Sequence, residues 1–160
     1  MTVPAKITPC LWFDFNAEEA VNNYLSIFRN GRILEVSHYG DAVPSHKGKV
    51  LTIRFEIEGQ QLLALNGGPN FPFTEAISLM VDCETQAEVD DMWAKLTAGG
   101  CESQCGWLKD KFGLSWQIVP RQMIPMFTSS DSAAAARAMQ AMMTMKKIDI
   151  ARIKAAFDGR

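Results

Sequence analysis

Two stretches of this chain repeat one order of elements, and the repeat limits the fold more than any single residue does. ITPCLWFDF (residues 7–15) is β-branched and aromatic before it stops on polar residues, as a strand does. NAEEAVNNYLSIFRNG follows. Asn16 and Glu19 stand at capping-box spacing, and Ala20, Val21, Tyr24, Leu25 and Phe28 keep the rhythm of an amphipathic helix, with Gly31 as its expected stop. Strands are then predicted at 32–39, 49–58 and 60–66, with Glu58-Gly59 as a tight turn. The order then returns. AISLMVDCE (76–84) is an apolar strand, and TQAEVDDMWAKLTAGG is a helix with Thr85 and Glu88 at capping-box spacing. Its stripe is Val89, Met92, Trp93 and Leu96, its stop is Gly99-Gly100, and short strands fit 101–106, 107–111 and 114–119. Tyr24 matches Trp93 and Gly31 matches Gly100, so each half reads βαβββ.

The expected organisation is one domain over 1–160: a first module at about 7–66, a second at about 76–120 and a helical extension over 121–160. GGPNFPFTE (67–75) is short and apolar for a free linker, so Phe71 and Phe73 are expected to pack. In the extension, SSDSAAAARAMQAMMTMKK predicts a helix capped near Ser130 or Asp131, with Lys146 and Lys147 at its negative end. Asp149 can cap a last short helix. Met139, Met142 and Met143 form an apolar face that needs cover from the domain or from a second chain.

A chain of 160 residues can bury roughly 70% of its unfolded surface and needs no covalent staples. Its formal net charge is −2 and no basic stripe exists, so no nucleic-acid partner is expected. MTVPAKITPC has no apolar run of signal-peptide length, and no stretch approaches a membrane span. The expected location is cytoplasmic. There the four cysteines, Cys10, Cys83, Cys101 and Cys105, are expected to be reduced and structural, since none is at CxxC spacing.

Three segments carry a resemblance: ITPCLWFDFNAEEAVNNYLSIF, ISLMVDCETQAEVDDMWAKLTAGG and CGWLKDKFGLSWQIVPRQM. Together they resemble the PhnB-like branch of the vicinal-oxygen-chelate superfamily, which includes glyoxalase I, fosfomycin and bleomycin resistance proteins and extradiol dioxygenases. The resemblance spans roughly residues 7–125. It implies an α+β fold of tandem βαβββ modules forming a curled mixed sheet of the glyoxalase/bleomycin-resistance type, here with C-terminal helices. It also implies a homodimer, since such sheets leave edges to cover. Members of the branch often carry the label 3-demethylubiquinone-9 3-methyltransferase. The chain lacks the Gly-rich strand-to-helix loop of a nucleotide-type cofactor fold, and its element order does not suit a doubly wound sheet.

In metal-using relatives, four ligands from the first and last strand of each module point into the concavity. Matched residue by residue, these positions fall at Pro9, within Ala76-Ile77-Ser78, at or near Asn66, and at Gln117. A glutamine can ligate through its carbonyl but brings no charge, so the expected ligand set holds no metal and no cofactor. His38 and His46 fall outside these positions, and His46 beside Lys47 and Lys49 reads as an exposed loop residue. In strand 49–58, Thr52, Arg54 and Glu56 share one face, which either lines the concavity or is a solvated or self-paired sheet face. In the first case Arg54 is the cation for an anionic ligand, Asn66 and Gln117 give orienting hydrogen bonds, and Trp107 or Phe71 gives an apolar wall. Gln117 reads equally as a core amide bonded to backbone.

The leading expectation is a protein that binds a small molecule in a metal-free cavity, through Arg54, Asn66, Trp107 and Gln117. The alternatives are a metal-dependent enzyme of glyoxalase or dioxygenase type, and the methyltransferase of the branch's label. No cluster of His, Cys and carboxylates fixes a reaction class.

Overall fold

The computed structural model describes residues 3–160, so the first two residues of the expected domain lie outside the described residues. The chain divides into two compact units, Met1–Phe73 and Thr74–Arg160. In the first, β1 (Cys10–Phe13), α1 (Ala17–Ile27), β2 (Gly31–His38), β3 (Val50–Ile57) and β4 (Gln60–Asn66) follow in order. They form one mixed sheet in the order β1-β4-β3-β2. β1 and β4 are parallel, and the other pairs are antiparallel. Alternation then fixes the two faces. Leu11, Phe13, Ile53, Phe55, Ile57, Leu62 and Ala64 are buried on the face that α1 covers with Ala20, Val21, Tyr24 and Ile27.

Two local signals act differently from their sequence reading. Asn16 makes no side-chain cap. Instead the Asn66 side chain, 2% exposed at the end of β4, accepts the Ala17 N–H through Oδ1 at 2.9 Å. Its Nδ2 donates to Glu18 Oε2 at 2.9 Å and to the Val50 carbonyl at 3.1 Å. The helix is thus capped from the sheet. Gly31 is not the helix stop either: α1 ends at Phe28, in extended conformation, and Gly31 opens β2. A Cβ there would lie 2.6 Å from Leu25 Cδ2, the movable end of a half-buried side chain, and 3.2 Å from the Glu56 carbonyl oxygen, so the position is tight. Glu58-Gly59 is the expected tight turn, with φ of 46° and 82°. Glu58 holds this strained conformation by accepting the Asn30 N–H at 3.1 Å and the Asn30 amide at 3.0 Å.

The second unit repeats the plan with β5 (Ser78–Cys83), α2 (Gln86–Thr97), β6 (Cys101–Glu102), β7 (Trp107–Lys109) and β8 (Ser115–Pro120). The order is β5-β8-β7-β6, again with the first and last strands parallel. Here the capping signal works as read: Thr85 Oγ1 accepts the Glu88 N–H at 3.2 Å, and the Glu88 carboxylate accepts the Glu84 N–H at 2.7 Å. Val89, Trp93 and Leu96 pack on the face that carries Cys83, Leu108, Trp116 and Ile118. Burial pushes the Cys83 thiol up to about 12, and all four cysteines are free.

The extension belongs to this second unit and forms α3 (Met123–Phe127), α4 (Ser132–Met143) and α5 (Ile150–Phe157). Asp131 caps α4 and Asp149 caps α5. Met123, Ala138, Met145, Ile148 and Ile153 make its core, which half-buried Met142 joins. Met139 and Met143 stay exposed, because the helix buries its alanine side, Ala134 and Ala138. Gln86 ties α2 to the extension, donating to the Ile148 carbonyl at 3.0 Å and accepting the Ile150 N–H at 2.9 Å.

Two outcomes are expected. Asn66→Ala leaves the Ala17 N–H without its partner under a buried helix end and costs about 2–3 kcal/mol in urea unfolding; an unchanged midpoint would show that water replaces the cap. Hydrogen bonds from the Asn30 side chain, then its backbone, hold the Glu58 carboxyl below its ordinary range. Its contribution is therefore full above the unfolded value of about 4.3 and is lost as pH falls through the lower folded value. Glu58→Gln should be less stable than the parent at pH 7, and the difference should shrink at pH 3.

Candidate functional site

The face of each sheet opposite its helix is the candidate surface. In the first unit this open face carries Cys10 and Trp12 on β1, Leu63 and Leu65 on β4, and Thr52, Arg54 and Glu56 on β3. Trp12 Nε1 donates to the Gly68 carbonyl at 2.8 Å, and its ring meets Phe71 edge-on at 4.9 Å. The polar half of the face pairs with itself. Arg54 lies 3.7 Å from Glu35, Arg32 lies 3.5 Å from Glu56, and the Ser37 and Thr52 hydroxyls are 2.5 Å apart. Asn66 is absent from this face. Register pairs it with Phe13 on the helix side, so the open position at the end of β4 is Leu65. Pro9 precedes β1 and gives its carbonyl to the Leu63 N–H at 3.0 Å.

The open face of the second unit carries Ser78 and Met80 on β5, Trp107 and Lys109 on β7, and Ser115 and Gln117 on β8. Trp107 and Gln117 are direct cross-strand partners, so the structure does bring these two together. Gln117 Nε2 donates to Ser78 Oγ at 2.9 Å. Lys109 Nζ lies 2.7 Å from Glu75 Oε1. Ser115 is 1% exposed and its hydroxyl has no hydrogen-bond partner among the described residues. Behind this face, the DKFG turn is held by Asp110, which accepts the Phe112 and Leu114 N–H groups through Oδ1 and the Trp116 indole N–H through Oδ2 at 2.9 Å. This buried carboxylate fixes the start of β8, and its turn spacing to Gly113 was the sequence signal for it.

Register shows how the two units correspond. The Gly67 N–H donates to the Phe13 carbonyl as the Arg121 N–H donates to the Cys83 carbonyl, and Arg32 pairs with Glu56 as Cys101 pairs with Lys109. Cys10 therefore matches Met80, Leu63 matches Gln117, Gln61 matches Ser115, Arg54 matches Trp107 and Glu56 matches Lys109. The first unit has Leu63 where the second has the Gln117 amide, and Gln61 where the second has the Ser115 hydroxyl. Neither set fits a divalent cation. The first offers one thiol, Cys10, which burial raises above its ordinary value, beside tryptophan and leucines. The second offers neutral oxygens, and its nearby carboxylate, Glu75, is engaged by Lys109. Among the described residues no group of three or more His, Cys, Asp or Glu is placed to hold a metal. His38 is exposed at the end of β2. His46 corrects its loop reading: it is partly buried, edge-on to Phe15 at 4.7 Å and to Tyr39 at 5.3 Å. Phe15, an aromatic two residues after β1 and far along the chain from the loop, gave no local signal of that contact.

Two βαβββ units, each with its first and last strands parallel, define a member of the vicinal-oxygen-chelate superfamily. Residues 5–119 match the family described as 3-demethylubiquinone-9 3-methyltransferase, and the chain belongs to this PhnB-like family. It is similar to the PhnB protein from Bacillus cereus, at 37% identity, covering 72% of this chain and 99% of that one with a TM-score of 0.66. A Pseudomonas aeruginosa protein shares the fold at 22% identity, 73% and 98% coverage and a TM-score of 0.60. The fosfomycin resistance protein FosX from Listeria monocytogenes, solved with Mn(II) and sulfate, shares it at 13% identity, 74% and 91% coverage and a TM-score of 0.51. No curated protein matches. Helices α4 and α5 lie beyond the matched residues. Among the described residues no helix is long and apolar enough to cross a membrane.

Gln117→Leu, which gives the second unit the residue of the first, should change unfolding free energy by no more than about 1 kcal/mol, because a half-buried amide loses one hydrogen bond and gains an apolar contact. A urea series showing a loss above about 3 kcal/mol would mean that the amide holds β5 to β8.

Proposed function

We propose that this protein binds a small molecule on the open face of its second unit and does so without a metal ion. One observation carries the reading. Gln117 is half-buried on that face, oriented by Ser78, with no donor to its carbonyl oxygen among the described residues and with Trp107 and Met80 as its cross-strand neighbours. An apolar wall with a few directed polar groups is the usual chemistry of a small-molecule site. Gln117 orients the ligand, Trp107 gives it a wall, and the first unit has Leu63 at the matching position, while the amide on its open face, Gln61, accepts the Ala5 N–H and donates to the Val3 carbonyl. Arg54 contributes less than its sequence position suggested, since Glu35 already engages it.

The donor set is what disfavours a metal-dependent reaction at these positions. For methyl transfer, the strand-to-helix connections, Asp14-Phe15-Asn16 and Glu84-Thr85, hold no glycine, and neither sheet is doubly wound. Purified protein should hold no stoichiometric zinc, manganese or nickel after dialysis, and chelation should leave its melting temperature unchanged. A chelator-induced drop would overturn the metal-free reading. A screen of small fragments followed by the Trp107 indole NMR signal should find binders that lose about tenfold in affinity in Gln117→Leu, the worth of one oriented hydrogen bond.

We also propose that the chain pairs with a second copy of itself. β2 is an edge strand with Ile33 and Val36 exposed, a surface that natural sheets cover or charge. Sedimentation equilibrium at micromolar concentration should give twice the 17.8 kDa chain mass, and a monomer would sink the idea.

A further inference from the structure

We propose that Lys109 recognises an oxyanion group on that small molecule and that Glu75 occupies the lysine until the oxyanion displaces it. The inference rests on the binding reading above and names the chemical class of ligand. Each unit sets a paired cation on its open face, Arg54 in the first and Lys109 in the second. Their carboxylate partners differ in origin. Glu35 pairs with Arg54 within the β2–β3 ladder, so its place is set by the sheet. Glu75 comes from the connection before β5, outside any strand, and its side chain is 64% exposed. An exposed ion pair contributes little to stability, so giving it up leaves the fold intact.

The second observation is Ser115, the cross-strand partner of Lys109. Its hydroxyl is buried with no partner among the described residues, a condition that folded proteins rarely leave without a reason. Glu75 satisfies the ammonium but does not reach this hydroxyl. An oxyanion has enough lone pairs to accept from the Lys109 ammonium, the Ser115 hydroxyl and the Gln117 amide together. In the first unit the residue matching Gln117 is Leu63, which could donate nothing, and the residue matching Ser115 is Gln61, whose amide is already bonded to Ala5 and Val3. Carboxylates, phosphates and phosphonates share this chemistry.

The test follows the Trp107 indole NMR signal during titration with inorganic phosphate, with acetate and with uncharged fragments. Phosphate or acetate should shift the signal in the parent. Glu75→Gln, which removes the competing carboxylate, should tighten that binding several-fold, and Lys109→Gln should weaken it about tenfold or more. Unchanged or weaker anion binding in Glu75→Gln overturns the inference, and so does parental affinity in Lys109→Gln. If Lys109→Gln unfolds, Glu75→Gln decides alone. Uncharged fragments that shift the signal while both anions fail would overturn the oxyanion inference and leave the binding reading standing. If no probe shifts the signal, the binding reading falls and takes this inference with it.

Discussion

Covering one face of each sheet with a single helix is the constraint on which everything else rests. Once Tyr24 stacks on Phe55 at 6.4 Å and Trp93 and Trp116 are buried in the second unit, every strand residue is assigned to the covered side or the open side. A slip of one residue would carry the apolar set into water and drive polar residues under the helix. The open faces are therefore residues that the core does not need, free to differ between units. They do differ, with Leu63 in one where the other has Gln117, and Arg54 in one where the other has Trp107.

The same constraint explains what could be read from the sequence. Both βαβββ units, their helix stripes and the Glu58-Gly59 turn follow from periodicity and turn chemistry, which are local. Asn66 was misplaced by one residue because QQLLALN is apolar at both parities, with Leu63 and Leu65 on one face and Leu62 and Ala64 on the other. Periodicity cannot choose a face in such a strand. What chooses is the distant Ala17 N–H, for which Asn66 supplies the cap that Asn16 does not. Gly31 was likewise legible as a glycine position but not for its reason, since the Leu25 side chain that crowds it is a contact between elements. His46 needed Phe15 and Tyr39 to be brought to it.

The second unit's site was more legible because its strand alternates cleanly. In SWQIVP, Trp116 and Ile118 go under α2, which leaves Ser115 and Gln117 on the other side. Trp107 then meets Gln117 by antiparallel register. Neither Lys109 nor Ser115 was singled out. A lysine in a short strand looks like an ordinary edge residue, and a serine beside tryptophan looks like a spacer. Their meaning depends on being opposite each other, and pairing partners in strands of three and six residues have no one-dimensional signature.

The neutrality of Gln117 then has an electrostatic reason on the proposed reading. Lys109 and Glu75 already balance one another on this face. A carboxylate at 117 would compete with Glu75 for the lysine and repel an incoming anion, and like charges brought together in a half-dry site are costly. A second cation there would hold the oxyanion more tightly but would leave an uncompensated charge when the site is empty. An amide avoids both costs, since it donates through Nε2, accepts through Oε1, and carries no charge in either state. Ser78 fixes its orientation, and the buried Asp110 behind it fixes the start of the strand that carries it. The face can then exchange one carboxylate for one oxyanion at constant charge, which is why a residue that neither binds a metal well nor moves a proton suits this position.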